Sequence, residues 1–310
     1  MIKRMLLLAD SKAYLKSNCY QSQLLKTLDR HYKIKFLCLD QINSGQTLSL
    51  EQFDVILSVL KLRTLDKVAP LLQDQLDGAS VWIYEQDPWQ AFMDDSPYKG
   101  AYANIVSMLN VKSFLNTSRW WSEYIKSKGM PSRFVRMGML PEFCEIGKSW
   151  EKRSIKLAFQ GTLHPHRRNF FDGLKAMGID VTFIPSSSSY KLFLKSLNNI
   201  GIYIHTEQSP WVVDGASIKR NALWIKDTEA AARGCFAIRD YEDESKYYNI
   251  QELPTIFTFK SISDVPEIIN EILCMPDSEK NRRMKISVDL MKKRNDWMSV
   301  VEAIERNDDQ

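Results

Sequence analysis

Along this chain, short apolar runs that stop at a polar or acidic residue alternate with stretches of helical spacing. "MLLLAD" (5–10) is apolar up to Asp10, the pattern of a strand buried on both faces. "CYQSQLLKTLDRHY" (19–32) places Leu24, Leu25 and Leu28 on one face, as an amphipathic helix does. Strands are predicted at 33–40, 53–60, 80–87, 111–118 and 133–140, with helices at 65–76, 98–109 and 119–129 between them. Ser118 is placed to cap the last of these helices and Gly129 to end it. Pro88 breaks the run "SVWIYEQDPW". Strand and helix in strict turn predict a parallel sheet with helices on both faces.

The polar stretch "PEFCEIGKSWEKRS" (141–154) interrupts this rhythm, which then restarts. Strands are predicted at 155–161, 179–184, 201–207, 235–241 and 254–259, with helices at 167–178, 189–200, 225–234, 263–273, 277–294 and 296–305. Asp264 and Asp277 are read as caps of the helices beside them. The expected division is an N-terminal doubly wound domain (1–141), a linker (142–154), a second doubly wound domain (155–290) and a C-terminal helix (291–310). That helix carries Trp297, Val300, Val301 and Ile304 on one face and is expected to pack back on the first domain. In α/β folds of this kind ligands sit beyond the carboxyl ends of the strands, so the cleft between two such domains is the expected site.

Composition narrows the function classes. The 310 residues carry a net charge of +4 with 26% charged residues, too mild an excess for a dominant nucleic-acid role. The five cysteines are scattered and form no CxxC pair, which speaks against a zinc site or a disulfide framework and suits a reducing compartment. No apolar run approaches the ~20 residues of a membrane span, and "MIKRMLLLAD" is too short for a signal sequence. The expected location is the cytoplasm, with peripheral contact at the inner membrane surface left open.

The loop "GTLHPHRR" (161–168) holds two histidines and two arginines between a strand and a helix. Zinc would need a third convergent ligand, and none stands nearby. A helix N-terminus with adjacent guanidinium groups suits phosphate.

Three segments together resemble the GT-B glycosyltransferases, most nearly the CgeB-like group related to the family-4 type. "VRMGMLPEF" (135–143) is similar to their interdomain signature. "KLAFQGTLHPHRRNFFDGL" (156–174) is similar to the first strand, loop and helix of their nucleotide-binding domain, and "WIKDTEAAARGCFAIRDY" (224–241) to the segment in which a glutamate opens a helix. "YEQDPW" (84–89) is similar to an acidic Asp-Pro segment of that group.

The resemblance implies two Rossmann-like domains and transfer of a sugar from a nucleotide diphosphate sugar, UDP-linked or similar, to a hydroxyl acceptor. The acceptor would be a glycan, glycolipid or small molecule. No metal and no separate cofactor is called for, since fixed cations would meet the leaving diphosphate.

The donor set implied is Gly161, Thr162, His166, Arg167, Arg168, Lys226, Thr228 and Glu229, with Glu229 accepting from ribose hydroxyls. A carboxylate suits two vicinal hydroxyls, although a glutamate there also suits the first turn of a helix. The family pairs this glutamate with another eight residues earlier. Here that position is Asn221, so retaining stereochemistry does not carry over, and Glu207, Asp214 or Lys219 stand nearest to that role. Glu207 and Asp87 are the catalytic candidates, Asp87 as general base for the acceptor or as turn chemistry before Pro88. Asp10, Lys12 and Glu85 are placed on the acceptor side, with Asn18 beside them. Trp211 suits either stacking on a ligand or packing.

The rival readings are a non-catalytic nucleotide-sugar-binding protein, an epimerase or phosphorylase on the same fold, and a glycosyltransferase acting on modified DNA. The last would need a basic groove, against which the small net charge argues.

Overall fold

A computed structural model of the chain describes residues 2–17, 19–46, 49–187, 189–207, 211–219, 222, 225–241 and 243–306. In chain order, the first half comprises β1 (Lys3–Ala9), α1 (Lys12–Ser17), α2 (Gln21–His31), β2 (Tyr32–Cys38), α3 (Leu39–Asn43), β3 (Val55–Ser58) and α4 (Leu62–Leu76). It continues with β4 (Val81–Glu85), α5 (Ala101–Met108), β5 (Val111–Asn116), α6 (Arg119–Ser127) and β6 (Ser132–Phe134). The second half comprises β7 (Ile155–Gln160), α7 (Pro165–Ala176), β8 (Thr182–Ile184), α8 (Tyr190–Leu197), β9 (Ile200–His205), β10 (Trp211–Val213) and β11 (Ala216–Ile218). It ends with α9 (Ile225–Ala232), β12 (Phe236–Asp240), β13 (Ile256–Phe259), α10 (Val265–Cys274), α11 (Asp277–Lys293) and α12 (Met298–Glu305).

Two compact units result. The first comprises Met1–Arg136, Pro210–Ala222 and Trp297–Gln310, and the second Met137–Ser209 and Leu223–Asp296. In the first unit six parallel strands lie in the order β2-β1-β3-β4-β5-β6. Met5 to Ala9 of β1 are fully buried, which is why this strand reads as apolar without alternation. Leu6, Leu8, Ile56, Ile83 and Phe114 meet Leu65, Val68 and Leu72 of α4 in one core. Ser118 caps α6 by accepting from the Trp121 backbone N–H at 3.1 Å, and Gly129, at φ 78°, follows its end.

Two later pieces of chain complete this unit. Strands β10 and β11 form an antiparallel hairpin whose two-residue turn is Asp214 (φ 51°) and Gly215 (φ 75°). Positive φ at both positions is what a tight hairpin turn needs, and Asp-Gly is its strongest sequence signal. The hairpin docks through Asp94, whose backbone N–H donates to Val212 O at 2.9 Å and whose Oδ2 accepts from Gly215 N at 2.8 Å. Trp211 packs against Trp89 at 4.9 Å between centroids. Helix α12 follows the buried Trp297, which lies 6.2 Å from Tyr84 between ring centroids. Arg133 donates to Ala303 O at 2.6 Å, and Tyr32 donates to Glu305 at 2.5 Å.

The second unit has five parallel strands in the order β13-β12-β9-β7-β8. Phe159, Ile202, Ile204, Phe236 and Ile238 form its core with Leu174 and Met284. Residues 142–154, read as a linker, are packed into this unit. Trp150 and Arg153 are buried, and Arg153 donates to the carbonyls of Lys148, Leu197 and Arg233 at 2.9, 3.1 and 2.9 Å. A guanidinium with several fixed acceptors holds a segment that composition alone reads as open.

Asp264 does not cap α10 through its side chain. It accepts instead from the Lys260 and Ser261 backbone N–H groups ahead of the helix. Asp277 is the first residue of α11, with Pro276 at the cap position.

Candidate active site

In a parallel α/β sheet, ligands bind where the strand order reverses, beyond the carboxyl ends of the strands. In the second unit this point lies between β7 and β9, since β8 flanks β7 on the other side. The loop after β7 begins at Gly161, whose φ of 147° favours glycine and whose added Cβ would stand 3.2 Å from the Phe159 ring. Thr162 is exposed and Pro165 opens α7, where its missing N–H takes nothing from the helix.

Arg167 lies in the first turn of α7, buried. Its Nη1 donates to Thr162 O at 2.7 Å, its Nη2 donates to Glu207, and its guanidinium lies 5.5 Å from the Phe159 ring centroid. Arg168, one residue on, is exposed and donates from Nε to Leu163 O at 3.3 Å. His164 is exposed and His166 half-buried, their rings stacked at 6.0 Å. Among the described residues no group of three or more His, Cys, Asp or Glu side chains is placed to hold a metal ion.

Glu207 follows β9. Its carboxylate meets Arg167, and its backbone N–H donates to Asp240 Oδ1 at 3.0 Å, at the end of β12. Arg239, next to Asp240, donates to Asp227 Oδ2 at 2.6 Å, and Asp227 Oδ1 lies 2.7 Å from His205 Nε2. His205, Asp227, Arg239 and Asp240 are all fully buried. Burial pushes the Asp227 carboxyl up, but Arg239 and His205 outweigh it and hold it below its ordinary value. These four residues escape the sequence reading. The available signal was polarity in a buried strand: "AIRD" closes an otherwise apolar run with an arginine and an aspartate.

Helix α9 carries the remaining donor candidates. Thr228 is buried, with its hydroxyl turned back to Ile225 O at 2.8 Å. Glu229 is also buried. Burial raises its carboxyl above its ordinary value, with Lys226 and a Tyr190 hydrogen bond acting against the rise. Lys226 Nζ lies 3.6 Å from Glu229 Oε2 and 3.5 Å from the Phe193 ring centroid.

The acceptor-side candidates lie in the first unit, where the order reverses between β1 and β3. Asp10, directly after β1, accepts from the Thr64 hydroxyl at 3.2 Å. It lines a cavity of about 550 Å³ with Ser11, Lys12, Cys38, Asp40 and Asn43. Glu85 ends β4, buried, and its Oε1 accepts from the backbone N–H groups of Gln86 and Asp87, both at 2.8 Å. Burial and the neighbouring Asp87 push its carboxyl up to about 7. Asp87 is half-buried ahead of Pro88.

Arg167 and Glu207 are therefore brought together, as are Lys226 and Glu229, while Asp87 and Glu207 belong to different units. Asp214 sits in the hairpin turn of the first unit, accepting from Tyr124 and Lys128 at 2.6 Å each. Asn18 and Asn221 lie outside the described residues.

No protein-family model and no curated protein sequence matches the chain. Solved structures do. HepE of Anabaena, in complex with UDP and glucose, matches with a TM-score of 0.63 at 11% identity, over 97% of this chain and 98% of that one. An alpha-glucosyltransferase, in complex with UDP and a 13-mer DNA containing an HMU base, matches with a TM-score of 0.67 at 10% identity, over 98% of both chains. A UDP-forming trehalose-phosphate synthase from Burkholderia xenovorans matches with a TM-score of 0.59 at 8% identity, over 97% of this chain and 98% of that one. Over nearly its whole length, then, the chain has the α/β fold of the GT-B glycosyltransferases, built on two parallel sheets.

Proposed function

We propose that the protein is a glycosyltransferase that moves a sugar from a nucleotide diphosphate sugar to a hydroxyl acceptor without a metal ion. The observation that carries this reading is the crevice of the second unit. There the β7–α7 loop with Arg167, Glu207 after β9, and α9 with Glu229 all follow the carboxyl ends of strands of one sheet. Solved structures of the same fold hold UDP or form it, which supports a nucleotide-sugar donor.

In this reading Glu229 accepts from the ribose hydroxyls, and Gly161 and Thr162 let backbone approach the diphosphate. Arg167, Arg168 and Lys226 offset charge on that diphosphate as the bond from sugar C1 to phosphate oxygen breaks. The acceptor oxygen forms the new bond to C1 and gives its proton to Asp87, whose backbone Glu85 holds in place. The acceptor is a carbohydrate or another hydroxyl compound.

The test is calorimetric titration with UDP, GDP and ADP, with and without EDTA. It is followed by measuring nucleoside diphosphate released from a donor panel with and without acceptors. Absence of binding by every nucleoside diphosphate overturns the donor site, and strict metal dependence overturns the metal-free mechanism. Binding without turnover on any donor supports a non-catalytic sugar-nucleotide-binding protein, and tight, salt-sensitive DNA affinity supports a DNA acceptor.

A further inference from the structure

The donor-site reading assigns Arg167 to a phosphate, yet in the structure this guanidinium is already engaged by an anion of the protein. Arg167 is 7% and Glu207 3% exposed, so the pair is shielded from water. Both partners are fixed from outside the pair. Arg167 Nη1 is held by Thr162 O, and the Glu207 backbone is held by Asp240. Arg167 Nε has no hydrogen-bond partner among the described residues, nor has Asp240 Oδ2. The Arg167 Nε–H is thus a buried donor beside the atom that Glu207 engages.

Separating a buried guanidinium from its carboxylate is strongly unfavourable when nothing replaces the lost partner. Exchanging the carboxylate for a phosphoryl group is a different matter, because phosphate offers the same planar fork of donors another pair of oxygens. A neutral ligand cannot make the exchange. A diphosphate can.

We propose that Glu207 is a specificity-determining residue that occupies Arg167 in place of a phosphoryl group and yields it to the donor diphosphate. This deepens the donor-site reading and rests on it. The arrangement makes phosphate recognition a competition: every phosphate contact at Arg167 displaces Glu207, so uncharged parts of the ligand gain nothing from it. After transfer, Glu207 is positioned to reclaim Arg167 as the nucleoside diphosphate leaves.

The experiment compares affinities of the full-length protein and Glu207→Gln for inorganic pyrophosphate, UDP and uridine by titration calorimetry, with thermal melting to confirm folding. The expected result is a gain of about tenfold for pyrophosphate and UDP, about 1.4 kcal/mol, with uridine unchanged. Arg167→Gln should abolish that gain. Unchanged or weaker pyrophosphate binding by a folded Glu207→Gln overturns the proposal, whatever uridine does. Where Glu207→Gln fails to fold, the side-chain NMR signal of Arg167 in the unaltered protein, identified by its loss in Arg167→Lys, decides. A shift on adding pyrophosphate supports the exchange, and an unmoved signal in a pyrophosphate-saturated sample overturns it. Failure of UDP, GDP, ADP and pyrophosphate to bind either protein removes the donor-site reading itself. Binding without the Glu207→Gln gain removes only the role of Glu207.

Discussion

Two buried carboxylates, Asp227 in the second crevice and Glu85 in the first, are held in opposite ways. In the second unit Asp227 is met by Arg239 and His205, which hold its carboxyl below its ordinary value despite full burial. In the first unit Glu85 is met by the backbone N–H groups of Gln86 and Asp87, and its carboxyl rises to about 7. Matched charges make a fixed electrostatic environment, suited to a ligand whose own charge never varies. A carboxyl held near neutrality sits where protons are exchanged, and its charge follows pH.

The contrast can be broken at several points, in descending order of effect. On the proposed reaction, Asp87→Asn should lower kcat by about 10²–10⁴-fold while leaving nucleoside diphosphate affinity unchanged, as kinetics and calorimetry together would read. Equal loss of binding would place Asp87 in ligand recognition instead. Asp227→Ala strands two buried partners and should destabilise the protein by about 3–5 kcal/mol in urea unfolding. A loss below about 1 kcal/mol would mean that the buried charges relax to water.

Glu85→Gln should act with the opposite sign and only at high pH. The folded carboxyl titrates near 7 rather than at the ordinary 4.5, so between these values the native state binds more protons than the unfolded chain. Stability from this group is present below pH 4.5 and is lost as pH rises through 7. The amide keeps the oxygen that accepts from Gln86 and Asp87, so the variant should match the parent at pH 4.5 and exceed it at pH 8. The upper bound on that excess is roughly 3 kcal/mol. A melting-temperature difference that does not vary with pH would refute this account of Glu85. Smallest of all, Lys128→Ala removes an exposed partner of Asp214 and should leave the melting temperature within error, because such pairs are screened by solvent.

Much of the fold is legible in the sequence because parallel strands buried on both faces leave unbroken apolar runs, as in "MLLLAD" and "GIYIH". What escapes is short or non-local. Strands β10 and β11 have three residues each, too few for periodicity to register, although "VDGA" carries the turn chemistry that marks them. At the site, Arg167 and Glu229 stand out by their neighbours in sequence. The partner of Arg167 stands 40 residues away, and pattern reading has no means of pairing them. Asp227 hides beside Glu229 in "KDTE", where both look like helix-start acids. Only burial separates a capping acid from the hub of a charge network.

The chain passes between the two units four times, after Arg136, Ser209, Ala222 and Asp296. Neither unit is therefore a continuous stretch of polypeptide, and the consequence falls on biosynthesis. The ribosome releases the amino-terminal six-stranded sheet early, but its hairpin and Trp297 emerge only after most of the second sheet has been made. A nascent chain that ended near residue 141 would carry a sheet whose Tyr84 has no Trp297 to pack against. The unit begun first is the one finished last, since Trp297 follows the end of the second unit at Asp296.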